Sequence, residues 1–138
     1  MKYLILGTGG TGASIGAFLA AEGKDVTFMA RGAHLEAMRK NGLVLDSGLK
    51  GHMEIKNVKA FEGKDINDKA DVIFVCVKSY SLEDIIPVIK RAAGADTIVI
   101  PILNMFKTGA KIKEYIPEVK CLEGCIYISA FIDAPGKI

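Results

Sequence analysis

The stretch Lys2-Tyr3-Leu4-Ile5-Leu6-Gly7-Thr8-Gly9-Gly10-Thr11-Gly12 decides the fold. The apolar run Tyr3 to Leu6 reads as a short buried strand. Gly7 to Gly12 then fit the spacing G-x-G-x-x-G. In a chain with 15 glycines that spacing alone carries little weight. Its context makes it specific. A strand precedes it directly, and from Gly10 to Glu22 the residues Ile15, Phe18 and Leu19 recur at helical spacing among small neighbours. Gly23 closes that helix as a C-terminal cap. A glycine turn between buried strand and helix is the arrangement of a dinucleotide-binding loop. Gly7 permits the turn, Gly9 leaves room for a pyrophosphate, and Gly12 lets the helix approach the sheet. The helix N-terminus adds unpaired N–H groups and about half a positive charge. Gly7, Thr8, Gly9, Gly10, Thr11 and Gly12 are therefore the candidate phosphate-binding residues.

Outward from this turn, the pattern alternates. Val26–Ala30 reads as a second strand and Leu35–Lys40 as a short helix ending at Asn41-Gly42. Leu43–Leu45 and Met53–Ile55 flank Gly48 and Gly51 and predict a hairpin. Val58–Phe61 is a further short strand, and Val72–Val77 a strand buried on both faces. Leu82–Ala93 reads as a helix, with Pro87 starting its main part or kinking it. Thr97–Leu103 is another buried strand, Lys107–Tyr115 a helix, and Cys121–Ile132 a last long apolar strand. Strands alternating with helices predict an α/β fold of the Rossmann type: a doubly wound, mostly parallel sheet with helices on both faces. The whole chain, 1–138, reads as one such domain. The closing Asp133–Ile138 is a turn followed by an apparent restart, which reads as the entrance to a further segment.

The second strand decides the nucleotide. Domains that take NAD place an acid there, about twenty residues past the glycine turn, for the ribose 2′-hydroxyl. Here the sequence is Thr27-Phe28-Met29-Ala30-Arg31-Gly32, with no acid and one arginine. A guanidinium at this point suits a 2′-phosphate and hence NADP. Lys78 and Asn104 close two other strands. With Gly7 and Arg31 they give four non-apolar positions at the carboxyl ends of four strands, the edge where open α/β sheets bind ligands. Lys78 is placed for phosphate or ribose oxygens, and Asn104 for the nicotinamide side or the substrate. His34 is either a helper of the 2′-phosphate site or the exposed first turn of a helix, and His52 reads as solvated in the hairpin. Ser79, Tyr80 and Ser81 lie near the same edge without a base to activate them.

Composition narrows the alternatives. Half of the 138 residues are hydrophobic and 25% are charged, as in an ordinary soluble domain. The net charge is +2, and the 18 lysines and arginines are spread along the chain, which argues against a nucleic-acid surface. No run approaches the ~20 apolar residues of a membrane span, and no targeting segment is recognisable. The expectation is a cytoplasmic protein. Cys76, Cys121 and Cys125 then read as reduced packing residues. On one strand, Cys121 and Cys125 would stand roughly 13 Å apart, beyond the about 7 Å of a disulfide.

With these residues in hand, the chain resembles the N-terminal domain of the ketopantoate reductase (2-dehydropantoate 2-reductase) family. The likeness rests on Gly7–Gly12, on Ala30-Arg31-Gly32 with His34-Leu35 and Asn41-Gly42-Leu43, on Val77-Lys78-Ser79-Tyr80, on Leu103-Asn104, and on Gly124 to Gly136 with Pro135-Gly136-Lys137-Ile138. The resemblance implies reduction of the ketone of ketopantoate to pantoate with NADPH, on the route to pantothenate and coenzyme A. It implies that the glycine loop binds the pyrophosphate and that Arg31 holds the 2′-phosphate. Lys78 and Asn104 would line the cofactor cleft, and Ala130 would touch the cofactor through its backbone.

Two departures stand out. The family's Asn-Gly is Asn104-Met105 here, beside the place expected for the nicotinamide, which leaves the substrate open. The family's general-acid lysine and most of its substrate contacts belong to a helical C-terminal domain absent from this chain, so no catalytic residue is assigned. The expected partners are NADPH and a small 2-keto acid, with pairing of two copies over an uncovered face. Two other readings compete: a nucleotide-sensing regulatory domain, which generally keeps the acid that Arg31-Gly32 replaces, and the N-terminal domain of another dehydrogenase.

Overall fold

Strand β1 (Lys2–Leu6) runs into the glycine turn and helix α1 (Gly10–Ala21). There follow β2 (Asp25–Met29), α2 (Gly32–Asn41), β3 (Leu43–Ser47), β4 (Gly51–Ile55), β5 (Lys59–Phe61), β6 (Ala70–Val75), α3 (Leu82–Ala92), β7 (Ala93–Pro101), α4 (Thr108–Tyr115) and β8 (Lys120–Cys121). This computed structural model describes residues 1–138.

Six strands form one sheet in the order β5-β2-β1-β6-β7-β8, and every pairing in it is parallel. The chain winds outward from β1 to one side and then from β6 to the other, so the winding reverses between these two strands. The expected doubly wound sheet is what forms. Strand alternation divides its side chains between two cores. Leu4, Leu6, Ile73 and Val75 pack with α3 and α4, through Ile85, Ile89, Ile112 and Ile116. Ile5 and Phe28 pack on the opposite face with Ala13 and Ala17 of α1, Leu35 and Met38 of α2, and Leu43 of the hairpin. The hairpin β3–β4 is a separate two-stranded antiparallel sheet over that face. Pro87 lies inside α3 without ending it. No helix is long and apolar enough to cross a membrane.

The expected last strand, Cys121–Ile132, is a correction. Only Lys120–Cys121 pairs, with β7, and Leu122 N–H donates the final bond of that edge to the Val99 carbonyl. Glu123 then turns away to cap α4, and an added Cβ at Gly124 would lie 2.6 Å from the Pro101 carbonyl oxygen. From there the main chain leaves the sheet and crosses α1, with Ile126, Tyr127, Ile128, Phe131 and Ile132 exposed. An apolar run becomes a strand only where it exchanges main-chain hydrogen bonds with a neighbouring strand, and residues 123–132 make none.

The chain end is anchored differently. Val44 N–H donates to the Gly136 carbonyl, Ile138 N–H to Val44, and Asp46 N–H to Ile138, so residues 136–138 lie along β3. Ile138 is buried in the core beneath α1 and α2.

Candidate functional site

The register of the sheet gathers the candidate residues. Leu6 pairs with Met29 on one side and with Val75 on the other, and Val75 pairs with Pro101. Four neighbouring strands therefore end level, across roughly 14 Å at the usual strand spacing. Gly7, Arg31, Lys78 and Asn104 follow these ends, so the structure brings all four to one edge of the sheet.

The glycine turn is built by close approach. Gly7 has φ +95°, a conformation that favours glycine. An added Cβ there would also lie 2.9 Å from the Val77 amide nitrogen. Gly12 packs against the Gly7 carbonyl, Cys76 and Ile5, which keeps α1 close to β1 as the sequence required. Gly10 lies directly beneath the main chain of Ala130 and Phe131. Gly9, by contrast, faces open space.

Thr8 is buried, and its hydroxyl donates to the Met29 carbonyl at 2.6 Å, tying the turn to the end of β2. Only its main chain is left for a ligand. The first bond into α1 runs from Ala13 N–H to the Gly9 carbonyl, so the amides of Gly10, Thr11 and Gly12 have no partner within the helix. The first turn of α1 carries no acid to offset its positive end.

Arg31 is the N-cap residue of α2, exposed, with its guanidinium free of hydrogen bonds and ion pairs. Lys78 precedes the 3-10 turn Ser79–Ser81 and is likewise exposed and unpaired. Asn104 is exposed at the end of the β7 segment, and its side chain makes no bond. Met105 turns inward and packs on the α3–α4 core. Burial pushes the Cys76 thiol up to about 12, which makes it a packing group at the back of the turn. All three cysteines are free.

Three contacts have no counterpart in the sequence pattern. His34 does not extend toward solvent beside Arg31. Its Nδ1 accepts the Gly136 N–H at 3.0 Å, and its Nε2 is buried. Glu123 reaches α4, where its carboxylate accepts the N–H groups of Gly109 and Ala110 at 3.1 and 2.9 Å. Gly10 had been given no packing task. None has a local signal, because each partner lies far along the chain.

A separate cavity of about 450 Å³ lies between α1, the β3–β4 hairpin and residues 126–131. Of the sequence-derived candidates only Ala130 borders it. The candidate site is the open sheet edge, a shelf rather than a closed cavity.

Comparison with known proteins bears on this geometry. Residues 3–138 match the model of the family described as ketopantoate reductase PanE/ApbA. The chain belongs to the ketopantoate reductase PanE/ApbA family. Among curated ketopantoate reductase relatives, it is 35% identical over 114 residues to 2-dehydropantoate 2-reductase of Pyrococcus horikoshii, covering 83% of this chain and 36% of that one. It is 31% identical to the uncharacterized oxidoreductase YkpB of Bacillus subtilis, over 100% of this chain and 45% of that protein. The crystal structure of 2-dehydropantoate 2-reductase from Porphyromonas gingivalis superposes with a TM-score of 0.85 at 32% identity, over 99% of this chain and 50% of that one. D-mandelate dehydrogenase, solved with NADH and anilino(oxo)acetate, shares the fold with a TM-score of 0.89 at 24% identity, over 99% of this chain and 44% of that one. The chain spans under half the length of the curated ketopantoate reductases it matches. Family members are oxidoreductases.

Proposed function

We propose that residues 1–138 are the NADP-binding domain of an NADPH-dependent 2-keto-acid reductase, with 2-dehydropantoate 2-reductase activity, ketopantoate to pantoate, as the specific reaction. The observation that carries the reading is the free guanidinium of Arg31, past the end of β2, where an NAD site would hold an acid. The rest of the edge fits a dinucleotide. Gly9 leaves open space, the α1 N-terminus offers unpaired amides without a nearby acid, and Lys78 adds an uncompensated positive charge.

The pyrophosphate would lie on the amides of Gly10 to Gly12, with Arg31 on the 2′-phosphate and Lys78 and Asn104 toward the nicotinamide half. Ala130 would meet the cofactor through its main chain. The cofactor, when bound, supplies hydride. Asn104, the one amide side chain at this edge, is placed to orient the nicotinamide or the keto acid. A ketone that accepts hydride also needs a proton from a positioned acid. No residue of this chain fills that role, so the acid and most substrate contacts are assigned to a helical C-terminal domain outside residues 1–138. These residues alone should bind cofactor with little or no turnover. A cytoplasmic setting accompanies this reading.

The test is a fluorescence titration of the 138-residue chain with NADPH and NADH in parallel. The sequence has no Trp, so the background is low. Tighter NADPH binding that is lost in Arg31→Ala supports the reading. Equal or tighter NADH binding rejects NADP and favours the N-terminal domain of an NAD-dependent dehydrogenase.

A further inference from the structure

His34 sits in the first turn of α2, three residues past Arg31. Its two ring nitrogens face two different parts of the chain. Nδ1 accepts the Gly136 N–H, so the ring is neutral and carries its proton on Nε2. Nε2 is buried beside the main chain of Thr8, close enough for that main chain to favour a proton on the ring, yet it closes no hydrogen bond of good geometry. A buried donor left unmade is uncommon and calls for an explanation. Thr8 is the second residue of the glycine turn, and its hydroxyl is already fixed on Met29. Gly136 belongs to the turn that delivers residues 136–138 to β3. The same C-terminal segment crosses Gly10 at Ala130. The glycine turn is thus held at Gly10 by contact and faced at Thr8 by a ring anchored to Gly136.

We propose that His34 is a positioning residue of the nucleotide site: its Nε2–H closes onto the Thr8 carbonyl when the glycine turn takes a dinucleotide, while Nδ1 keeps the turn coupled to the segment at Gly136. This rests on the reading that the turn binds a dinucleotide. The consequence is reciprocal. Nucleotide binding orders residues 133–138, and loosening that segment weakens binding. Arg31, Asp133, Lys137 and Asp46 are the charged groups of the adjoining segments. Lys137 is paired with Asp46 and Asp133, and none of the four makes an ion pair with the ring.

The experiment uses the 138-residue chain as wild type, His34→Asn and His34→Gln. An asparagine oxygen replaces Nδ1 but does not reach Thr8, whereas a glutamine amide reaches the Nε2 position. Amide exchange of residues 8–12 and 133–138 is followed by mass spectrometry with and without saturating NADPH, beside NADPH titrations. The expected result is slower exchange of both segments on binding. Without ligand, His34→Asn should keep wild-type protection of the 133–138 turn; with saturating NADPH its glycine turn exchanges several-fold faster than wild type, residues 133–138 gain less protection, and the NADPH dissociation constant rises about tenfold. His34→Gln should restore more of the affinity than His34→Asn. The Nε2–H resonance of wild-type His34 should move downfield with NADPH. Wild-type affinity and glycine-turn exchange in His34→Asn would overturn the proposal and reduce His34 to a staple for the turn. Should the wild type bind neither NADPH nor NADH, the functional reading fails. The proposed role of His34, which needs a bound dinucleotide, falls with it.

Discussion

The main chain of Ala130 lies against the α-carbon of Gly10, 120 positions earlier, with no room between them for a Cβ. Gly9, one residue before, faces open space. Two adjacent glycines of one turn therefore differ: the second is required by the protein's own backbone, and the first is free to meet a ligand under the proposed function. Gly10→Ala must displace residues 130–131 and should lower stability by about 1–3 kcal/mol, the usual range for overpacking. Gly9→Ala should change stability by about 1 kcal/mol or less, as an N-cap exchange, while weakening NADPH binding more than Gly10→Ala does per unit of stability lost. Urea unfolding midpoints and NADPH titrations on both variants check the pair. Equal stability loss would mean that the crossing at Ala130 yields freely.

Arg31 offers a cleaner separation, because it is exposed and its guanidinium makes no hydrogen bond or ion pair. Arg31→Ala should leave unfolding stability within about 0.5 kcal/mol. A charge-assisted bond contributes about 1.5–3 kcal/mol, so NADPH affinity should fall roughly ten- to a hundredfold. NADH affinity should hardly change. Arg31→Asp should go further and raise NADH relative to NADPH, since an acid there suits the ribose hydroxyl. Parallel titrations with both nucleotides read all of this, and an equal loss for NADPH and NADH would remove the 2′-phosphate role.

Most of the sheet was legible because its signals are local. The apolar runs around Leu4–Leu6, Ile73–Val75 and Val99–Pro101 are strands, and the glycine turn opens α1 where its spacing says. Arg31, Lys78 and Asn104 came to one edge because parallel strands carry their C-terminal ends together. What stayed hidden was set by partners far along the chain. The run 122–132 has strand-like composition, but composition does not reveal whether a neighbouring backbone is present. His34 took its place from Gly136, 102 residues away. Elsewhere the difference was one of extent: α2 begins at Gly32 rather than Leu35, and β7 begins at Ala93, with an irregularity before it pairs with Val72.

Glu123 gives a third prediction. Lys107, before α4, has φ +54°, and no local side chain caps the helix. The Glu123 carboxylate fills that role from the segment that leaves the sheet, accepting from Gly109 and Ala110. The cap fixes the start of α4, directly after the loop Asn104–Lys107 at the sheet edge. Glu123→Ala should cost about 1 kcal/mol of stability, as loss of a helix cap does, and Glu123→Gln should cost less. Faster amide exchange at residues 104–110 in Glu123→Ala would place the effect in this loop. An unchanged exchange pattern would mean that the loop is held by Met105 in the core instead.

The two histidines should oppose each other in the pH dependence of stability. Burial, partly offset by the Thr8 main chain, holds His34 below the ordinary histidine value of about 6.5. Below 6.5 the unfolded chain therefore binds a proton that the folded chain resists. The His34 contribution is complete above pH 6.5 and is lost as pH falls through the folded value. His52 is exposed in the hairpin and raised, first by its bond with Asp46 and then by Glu54. Its contribution is complete below 6.5 and fades as pH rises through its folded value. In the wild type these two contributions therefore meet near pH 6.5, the His34 one falling away on the acid side and the His52 one on the alkaline side. His52→Gln should expose the first alone, so that its urea midpoint falls more steeply than wild type from pH 7.5 to 5. His34→Asn should flatten the acid side, since the surviving His52 contribution is already complete below pH 6.5. The window lies above the range of the surface carboxylates Asp25, Asp46 and Asp96, all held below their ordinary values by lysine or histidine partners, so their titration does not enter. An acid-side slope that persists unchanged in His34→Asn would show that the His34 ring accepts a proton in the folded chain as readily as in the unfolded one. That outcome would break the neutral-ring link between Gly136 and the glycine turn.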